Sequence, residues 1–455
     1  MNSESDTIAA IATAPGEAGI SIVRISGPES LSIADKILVC KAPPPSQRSA
    51  GSFVHGFVRN DGLGVDEVIV LIYRAPHSYT RQDVVELQGH GGRISAQRVL
   101  RTVLNAGARP AEPGEFTKRA FLNGRIDLLQ AEAVADLIQA RSDRAAQTAI
   151  EQLEGALSAR VTRLYDNLVG LAADVEVTLD FTVDELPEAT TQGIKERLKE
   201  TISEAGLLLA TWEEGHLLRE GALVVISGSP NVGKSTLLNA LLGSERSIVA
   251  DMPGTTRDVI EEQLILDGVP LRLVDTAGLR ETECVVEREG VRRARASIQK
   301  ADLNLHVLDS SRRLSEEDRA YIVGMSENKC IIIFNKSDLG RALSVQDFQK
   351  HSCVQCCLTK GIGVEYVKLA IGRKLKLHGN DTAGATISER HRKYIQNALN
   401  VMNEGSGLIN MENEKNWVLV AQLLRTAIEN VGEITGRSYN NEVLDNVFER
   451  FCTGK

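Results

Sequence analysis

Three short strings in the middle of this chain, in one order, constrain its fold more than any other feature. The first, Gly228-Ser-Pro-Asn-Val-Gly-Lys-Ser235, has the spacing G-x-x-x-x-G-K-[ST] and follows the apolar run Leu223-Val-Val-Ile226. Strand, glycine-rich loop and helix in that order set backbone N–H groups and a helix N-terminus against a polyphosphate. Lys234 then reaches the β- and γ-phosphates, and the Ser235 hydroxyl is a ligand for Mg²⁺. Asn231, Val232, Gly233 and Thr236 share the same loop and helix start.

The second string, Asp275-Thr-Ala-Gly278, closes the apolar run Leu271-Arg-Leu-Val-Asp275, where the Mg²⁺-side acidic residue of a phosphate-loop enzyme belongs. Thr276 and Ala277 lead to Gly278, whose backbone N–H can approach a γ-phosphate because no side chain intervenes. The third, Asn335-Lys-Ser-Asp338, follows the run Cys330-Ile-Ile-Ile-Phe334. A carboxylate at Asp338 accepts from both N1–H and the exocyclic amine of guanine, with Asn335 and Lys336 beside it; adenine lacks that donor pair and would leave the carboxylate unmatched. Chance loops on a parallel sheet do not account for the three strings in this order, and the segment reads as a GTP-binding domain. Gly254-Thr-Thr-Arg-Asp258 lies where a first switch belongs, with Thr256 as the second hydroxyl ligand of Mg²⁺. Leu279 stands where many switch GTPases carry a water-orienting glutamine, so another group must align the water, and the acidic stretch Glu281 to Glu289 lies nearby.

At 455 residues the chain is long enough for roughly two to four domains. Its 52 basic and 61 acidic residues leave a formal net charge of −9, with a pI near 5.6. That balance argues against coating nucleic acid by bulk charge, and leaves room for a local basic patch or a basic partner. No run of eighteen apolar residues occurs, and Met1-Asn-Ser-Glu-Ser-Asp6 lacks the basic segment and apolar core of a signal peptide. The expectation is a cytoplasmic protein without a membrane span, its seven cysteines mostly reduced. Cys353, Cys356 and Cys357, with His351 upstream, lack the second ligand pair that a zinc site needs; small buried residues on the last strand of the GTPase sheet are the favoured reading.

Residues 1–118 mix short β-rich runs (Ile20–Ile25, Phe53–Val58, Val68–Tyr73) with helical spacing from Ser95 to Leu104, an α+β pattern. From 119 to 217 the apolar spacing is helical: Leu153, Leu157, Val161, Leu164, Leu168, Leu171 and Val175, then Ile194, Leu198, Ile202, Ala205, Leu209 and Trp212. The GTPase segment occupies 218–377. Helical spacing returns in 378–455 with Ile387, Tyr394, Ile395, Leu399 and Met402, and with Val420, Leu423, Leu424, Ala427 and Ile428. The economical reading is a multidomain α/β + α protein: an N-terminal α+β domain, a discontinuous helical domain, and a Ras-like phosphate-loop GTPase domain inserted into it.

Strings at both ends resemble one family over the whole length. Asp6-Thr-Ile-Ala-Ala-Ile-Ala-Thr13, Val23-Arg-Ile-Ser-Gly27, Glu86-Leu-Gln-Gly-His-Gly-Gly92, Pro113-Gly-Glu-Phe-Thr-Lys-Arg-Ala-Phe-Leu-Asn123 and Phe451-Cys-Thr-Gly-Lys455 look like the MnmE (TrmE) tRNA modification GTPases. The resemblance implies a homodimer through the N-terminal domains. It also implies a flavoprotein partner, MnmG (GidA), which forms a heterotetramer with it and carries the FAD. Together they add a (carboxymethyl)aminomethyl group to C5 of the wobble uridine of certain tRNAs. A reduced folate, 5,10-methylene- or 5-formyl-tetrahydrofolate, supplies the one-carbon unit, and K⁺ and GTP bring the GTPase domains together.

Carried over residue by residue, the resemblance implies K⁺ ligation by Asn231 with Ala250, Met252 and Thr255, and nucleotide contacts along Ala250-Asp-Met-Pro-Gly-Thr-Thr256, which includes Asp251, Pro253 and Gly254. Such a K⁺ would neutralise charge developing between the phosphates, as an arginine finger does. Glu287 matches the glutamate that positions the attacking water, and Arg24, Glu86, Arg125 and Lys455 match folate contacts. Arg125 stands where lysine is commoner, Arg81-Gln82 where glycine-glutamate is usual, and Cys357-Leu-Thr359 where the guanine-supporting loop reads serine-alanine-lysine. Cys452 reads two ways: a bystander near the C-terminal end, or, beside Lys455 and folate, a nucleophile or general acid. An RNA-particle assembly GTPase without covalent chemistry is the alternative class, and it would carry an RNA-binding appendage; no KH-type clamp, RNP string or basic tail is present. A regulatory switch would leave the N-terminal segment unexplained.

Overall fold

The computed structural model describes residues 6–179, 188–243, 261–275, 300–340, 342–343, 348, 350–377, 385–409, 414–439, 441–449 and 451–455. The chain forms two compact units, one of Met1–Ala135, Gln152–Ala205 and Tyr394–Lys455, the other of Asp136–Glu151 and Gly206–Lys393.

The first unit opens with a seven-stranded sheet: β1 (Ile8–Ile11), β2 (Ile20–Ser26), β3 (Leu38–Val39), β4 (Ser52–Asn60), β5 (Leu63–Tyr73), β6 (Val84–His90) and β7 (Arg109–Pro110), in the order β3-β4-β5-β6-β2-β1-β7. The pairs are antiparallel except β1 with β7. Period-2 alternation sets its faces. Val54 and Val58 on β4 and Val68, Val70 and Ile72 on β5 are buried against apolar residues of the helices Ser30–Ile37 and Arg93–Asn105. On the opposite face, Phe53, Phe57 and Ile69 are exposed, at 66%, 47% and 46%.

The helical part of the same unit is built on Ala156–Leu179, which packs along Glu414–Thr435. Its stripe Leu157, Val161, Leu164, Leu168, Leu171 and Val175 is buried, which is what the spacing of fours and threes requires. Three helix limits differ from the periodicity. Leu153 ends a separate helix, Asp143–Leu153, because Gly155 takes φ +100 between the two. Trp212 starts the short helix Trp212–Glu220, Thr211 separating it from Glu188–Ala210, and Ile387 precedes Glu389–Ile409.

The second unit is a six-stranded sheet of β8 (Ala222–Ser227), β9 (Glu261–Leu266), β10 (Val269–Asp275), β11 (Leu303–Asp309), β12 (Cys330–Asn335) and β13 (Ser352–Gln355), in the order β13-β12-β11-β8-β10-β9. All pairs are parallel except β10 with β9. The runs on β8 and β12 are almost wholly apolar because a parallel sheet is covered on both faces, whereas β11, equally buried, carries Asn304, His306 and Asp309. β8 is central, and the chain order reverses on either side of it, so a crevice opens at the carboxyl ends of the strands. Of the cysteine cluster only Cys353 lies on β13; Cys356 and Cys357 follow it and are buried. Burial pushes the Cys353 thiol up to about 11 and that of Cys356 to about 12.

An ionic knot, buried at Glu115 and Arg119 and open at Asp6 and Arg109, ties β7 and the residues before β1 to the helix Glu115–Leu122. Arg109 meets Asp6 at 2.6 Å and Glu115 at 2.5 Å, and Arg119 meets Asp6 at 2.6 Å and Glu115 at 3.0 Å. Burial alone would raise the Glu115 carboxyl, but hydrogen bonds from Arg109, the Glu112 N–H and Arg119 outweigh it and hold the group below the ordinary carboxylate range. A carboxyl depressed in the folded state contributes stability above its unfolded pKa, lost as pH falls through the folded value. Urea unfolding should therefore show Arg119→Ala destabilised by roughly 3 kcal/mol at neutral pH, the cost of breaking a buried pair. The difference from wild type should narrow below about pH 4 as carboxylates protonate.

Candidate functional sites

Two clusters of chemistry-bearing residues emerge, one in each unit. In the second unit β8, β10, β11 and β12 end together. Ser227 leads into Gly228, at φ +137, where an added Cβ would lie 2.3 Å from the Val307 carbonyl oxygen; only glycine allows the loop to pass so close to β11. The helix Lys234–Leu242 then begins at Gly233, with its first N–H groups open toward the loop. Lys234 is buried, and its Nζ donates to the Ser229 carbonyl at 2.9 Å. Ser235 Oγ donates to Asp275 Oδ2 at 2.9 Å, joining the hydroxyl of the loop to the acid at the end of β10.

Asn335, 3% exposed, joins this loop to the guanine side. Its Nδ2 donates to the Val232 carbonyl at 2.7 Å, and its Oδ1 accepts from the Leu358 N–H at 3.1 Å. Lys336, at φ +60, donates to Asp309 Oδ2 at 2.7 Å. Asp338 meets Lys360 at 3.1 Å; a hydrogen bond from the Cys357 thiol, then that from Lys360, hold its carboxyl below the ordinary range and keep it anionic. The departure from serine-alanine-lysine at Cys357-Leu-Thr359 thus leaves Asp338 with a thiol donor and with a lysine one position beyond that string.

Ser235 and Asp275 present hard oxygen donors side by side, a donor set that suits Mg²⁺. Asn231, exposed and at φ +60, stands in the loop where a K⁺ ligand was expected. Val232, Gly233 and Thr236 lie in the same loop and helix start. Ala250, Asp251, Met252, Pro253, Gly254, Thr255, Thr256, Thr276, Ala277, Gly278 and Glu287 lie outside the described residues.

In the first unit three of the four expected folate contacts, far apart in sequence, gather around one ring that sequence reasoning did not single out, Tyr79, and the fourth, Glu86, is paired with one of them. The Arg24 guanidinium lies 5.3 Å from its centroid, Arg125 4.7 Å and Lys455 Nζ 5.3 Å. Arg24 also donates to Glu86 Oε1 at 2.8 Å, across the β2–β6 register, and lies 5.6 Å from the Phe116 ring. Arg125 donates to the Tyr79 carbonyl at 3.1 Å, which its planar fork permits. Tyr79 is fixed in turn, its hydroxyl 2.9 Å from that of Thr117.

The loop after Tyr79 accounts for the Arg81-Gln82 departure. Arg81 takes φ +59, a left-handed conformation that the usual glycine adopts freely, and its Nη1 donates to the Asn123 carbonyl at 3.0 Å. Gln82 Oε1 accepts from Ser26 Oγ at 3.0 Å and Arg119 Nη1 at 3.1 Å, an acceptor role that glutamate would also fill.

Lys455 is brought in by a docked tail. Thr453 bridges Pro113, the Phe451 ring packs with Ala120, Leu128, Leu444 and Phe448, and the Gly454 carbonyl faces Arg24 Nη1 at 3.5 Å. Gly454, at φ +106, has the Ile11 carbonyl oxygen 2.3 Å from where a Cβ would stand. Burial, then the neighbouring Arg24 and Arg125 against the opposing pull of Glu86, lower the Lys455 pKa. Three cations thus face one carboxylate, an excess that suits an anionic aromatic ligand such as a folate. Cys452, at the start of this tail, is exposed.

Asp338 yields a direct test. Asp338→Asn replaces an acceptor for the guanine N1–H and amine by an amide that offers a donor to the C2 carbonyl of xanthine. Competition binding should show GTP affinity reduced at least tenfold, on the order of one charged hydrogen bond, with XTP affinity increased.

Two family models together match most of the chain. The model described as GTP-binding protein TrmE N-terminus matches residues 7–125, and the MnmE helical domain model matches residues 128–452. A tRNA modification GTPase MnmE from Alkaliphilus oremlandii is 41% identical over 459 residues, covering 99% of each chain. That of Listeria welshimeri is 42% identical over 459 residues, covering 99% of this chain and 100% of the relative. The G domain of the T. maritima FeoB iron transporter is similar over 34% of this chain and 98% of its own, at 29% identity and a TM-score of 0.26. With both family models matched along its length and relatives 41% and 42% identical over 99% of it, the chain belongs to the MnmE (TrmE) family.

Proposed function

We propose that this chain is a K⁺-stimulated, GTP-hydrolysing enzyme of tRNA modification. With a flavoprotein partner of the MnmG type it adds a (carboxymethyl)aminomethyl group to C5 of the wobble uridine of certain tRNAs, using the one-carbon unit of a reduced folate. The coarse activity, a GTPase acting in tRNA modification, accompanies the family. The observation that supports the finer reading is the convergence of Arg24, Arg125 and Lys455 on Tyr79, with Glu86 paired to Arg24.

In this reading Lys234 and the loop N–H groups hold the β- and γ-phosphates, and Asn335 keeps the phosphate loop in register with Asp338, which selects guanine. Ser235 and Thr256 hold Mg²⁺, which neutralises phosphate charge when bound. Asn231, with Ala250, Met252 and Thr255, holds K⁺, and Glu287 orients the water. At the other cluster Arg24, Arg125 and Lys455 bind the carboxylates or polar ring edge of the folate. Glu86 accepts from its ring N–H groups, and Cys452 is the nucleophile or general acid nearest that ligand. The domains are taken as 1–118 for folate binding and dimerisation, 119–217 and 378–455 for the helical part, and 218–377 for the GTPase. The exposed Phe53, Phe57 and Ile69 form an apolar face suited to a second copy, in support of a homodimer. No described helix is long and apolar enough to cross a membrane, and the expected site of action is the cytoplasm.

The first test is nucleoside mass spectrometry on tRNA from cells lacking this gene, re-supplied with wild type or with Cys452→Ser. The 5-substituted wobble uridine should return with wild type alone, while Cys452→Ser retains GTP turnover within about twofold, since the thiol belongs to the other cluster. Unchanged uridine on deletion would favour an assembly GTPase instead. A second test is calorimetric titration with 5-formyl-tetrahydrofolate. Affinity should fall as pH rises toward the ordinary lysine range, earlier than for an unperturbed lysine, because the depressed Lys455 loses its proton sooner.

A further inference from the structure

Behind the phosphate loop runs a buried polar chain that the nucleotide contacts above do not use. In the middle of β11 stands His306, 2% exposed, its ring stacked on Tyr321 with centroids 4.4 Å apart and planes at 18°. Its Nδ1 lies 3.0 Å from Ser227 Oγ, and that hydroxyl donates to Tyr321 Oη at 3.0 Å. Its Nε2 lies 3.2 Å from Asp318 Oδ1. Asp318 belongs to the helix Glu316–Gly324, capped by Ser315, and its Oδ2 accepts from Ser315 Oγ at 2.7 Å and from Ser229 Oγ at 2.9 Å. Burial alone would raise the Asp318 carboxyl, but the contacts with His306, Ser315 and Ser229 bring it down to about 2.

The chain therefore grips both residues that flank Gly228. Ser227 is held by His306 and Tyr321, and Ser229 by Asp318. Ser229 is also the residue whose carbonyl accepts from Lys234 Nζ. A buried histidine–carboxylate pair is a poor device for stability, since apolar residues of equal volume fill such space at no desolvation cost. What the carboxylate supplies that an apolar group cannot is a fixed acceptor for the Ser229 hydroxyl. A lysine on a long flexible stem gains from such a support, because misplacement of its ammonium weakens every phosphate it meets.

We propose that Asp318 is a positioning residue for the phosphate lysine, acting through Ser229, with His306 and Tyr321 fixing the other end of the same turn at Ser227. This rests on the reading of the second unit as a GTP site. Three consequences separate it from a merely structural role. Loss of the link weakens GTP and GDP alike, because Lys234 meets the β-phosphate that both share. The amide of Asp318→Asn still accepts from Ser229 and can donate to a neutral His306, so this variant is rescued. Ser229→Ala and Asp318→Ala remove the same link, so their effects do not add.

The test is equilibrium binding of fluorescent GTP and GDP analogues to the full chain, with steady-state KM and kcat and the thermal midpoint of each variant. Ser229→Ala and Asp318→Ala should each weaken both nucleotides about three- to tenfold, the worth of one ordinary hydrogen bond, because the link reaches the phosphates only through the loop. The loss should fall on KM more than on kcat. Asp318→Asn should stay within about twofold of wild type, and the double variant should bind no worse than the weaker single one. Additive losses, Asp318→Asn as weak as Asp318→Ala, or Ser229→Ala equal to wild type would each overturn the proposal. Should Asp318→Ala not fold, the contrast between Ser229→Ala and Asp318→Asn decides alone. If the wild-type chain binds no guanine nucleotide, the GTP reading falls; if it binds and Ser229→Ala binds equally well, only the role of Asp318 falls.

Discussion

The side-chain amide of Asn335 is the joint on which the nucleotide cradle depends. One buried amide donates to the loop that would hold phosphates and accepts from the loop beside the carboxylate that would read the base. The phosphate loop has no regular secondary structure to fix it and the other has only the short 3-10 turn Leu358–Lys360, and a loop of this kind holds its shape only if its backbone groups find partners. Asn335 supplies one for each and does so from the end of β12, a strand whose every residue is buried. The distance between phosphate and base recognition is thereby inherited from a rigid strand. An aspartate here would lose the donor to Val232, and a leucine would leave both backbone groups unsatisfied.

The first unit solves a comparable problem by different means. Its cluster has no single joint; it is an aromatic ring with cations around it, framed by the ionic knot of Asp6, Arg109, Glu115 and Arg119. The knot reaches the loop that follows Tyr79 through Gln82, whose Oε1 accepts from Arg119. Charge concentrated near an apolar sheet is costly unless every group is paired. The knot is nearly neutral and closed, whereas the cluster around Tyr79 is cationic and open, which separates the part that supports from the part that binds.

How much of this was legible in the sequence depended on whether the chemistry has a spacing. The strands preceding the three nucleotide strings stand where the apolar runs ended, because a parallel strand buried on both faces announces itself as an uninterrupted run. Helix limits were less legible: the apolar stripe runs across the break at Gly155, so periodicity joins Leu153 to a helix that begins at Ala156. Arg24, Glu86, Arg125 and Lys455 were named from resemblance, but Tyr79 as their centre was not, since a ring 5 Å from a guanidinium leaves no pattern along the chain. The polar chain through His306 was equally hidden. A histidine in an apolar strand reads as a core residue until its neighbours on Ser227 and Asp318 are seen.

The docking of Gly454 against the Ile11 carbonyl has a kinetic side. The contact between Arg24 and Gly454 spans 430 positions, so the cluster around Tyr79 is closed by one of the longest-range contacts in the unit. Loop-closure entropy and contact order place such contacts late in folding, after the local hairpins of β4 to β6 have formed. Until the tail docks, Arg24 and Arg125 flank Tyr79 without the ammonium of Lys455. A folate that binds the completed cluster would thus favour the last step of assembly, acting by mass action as a clasp on the C-terminal segment.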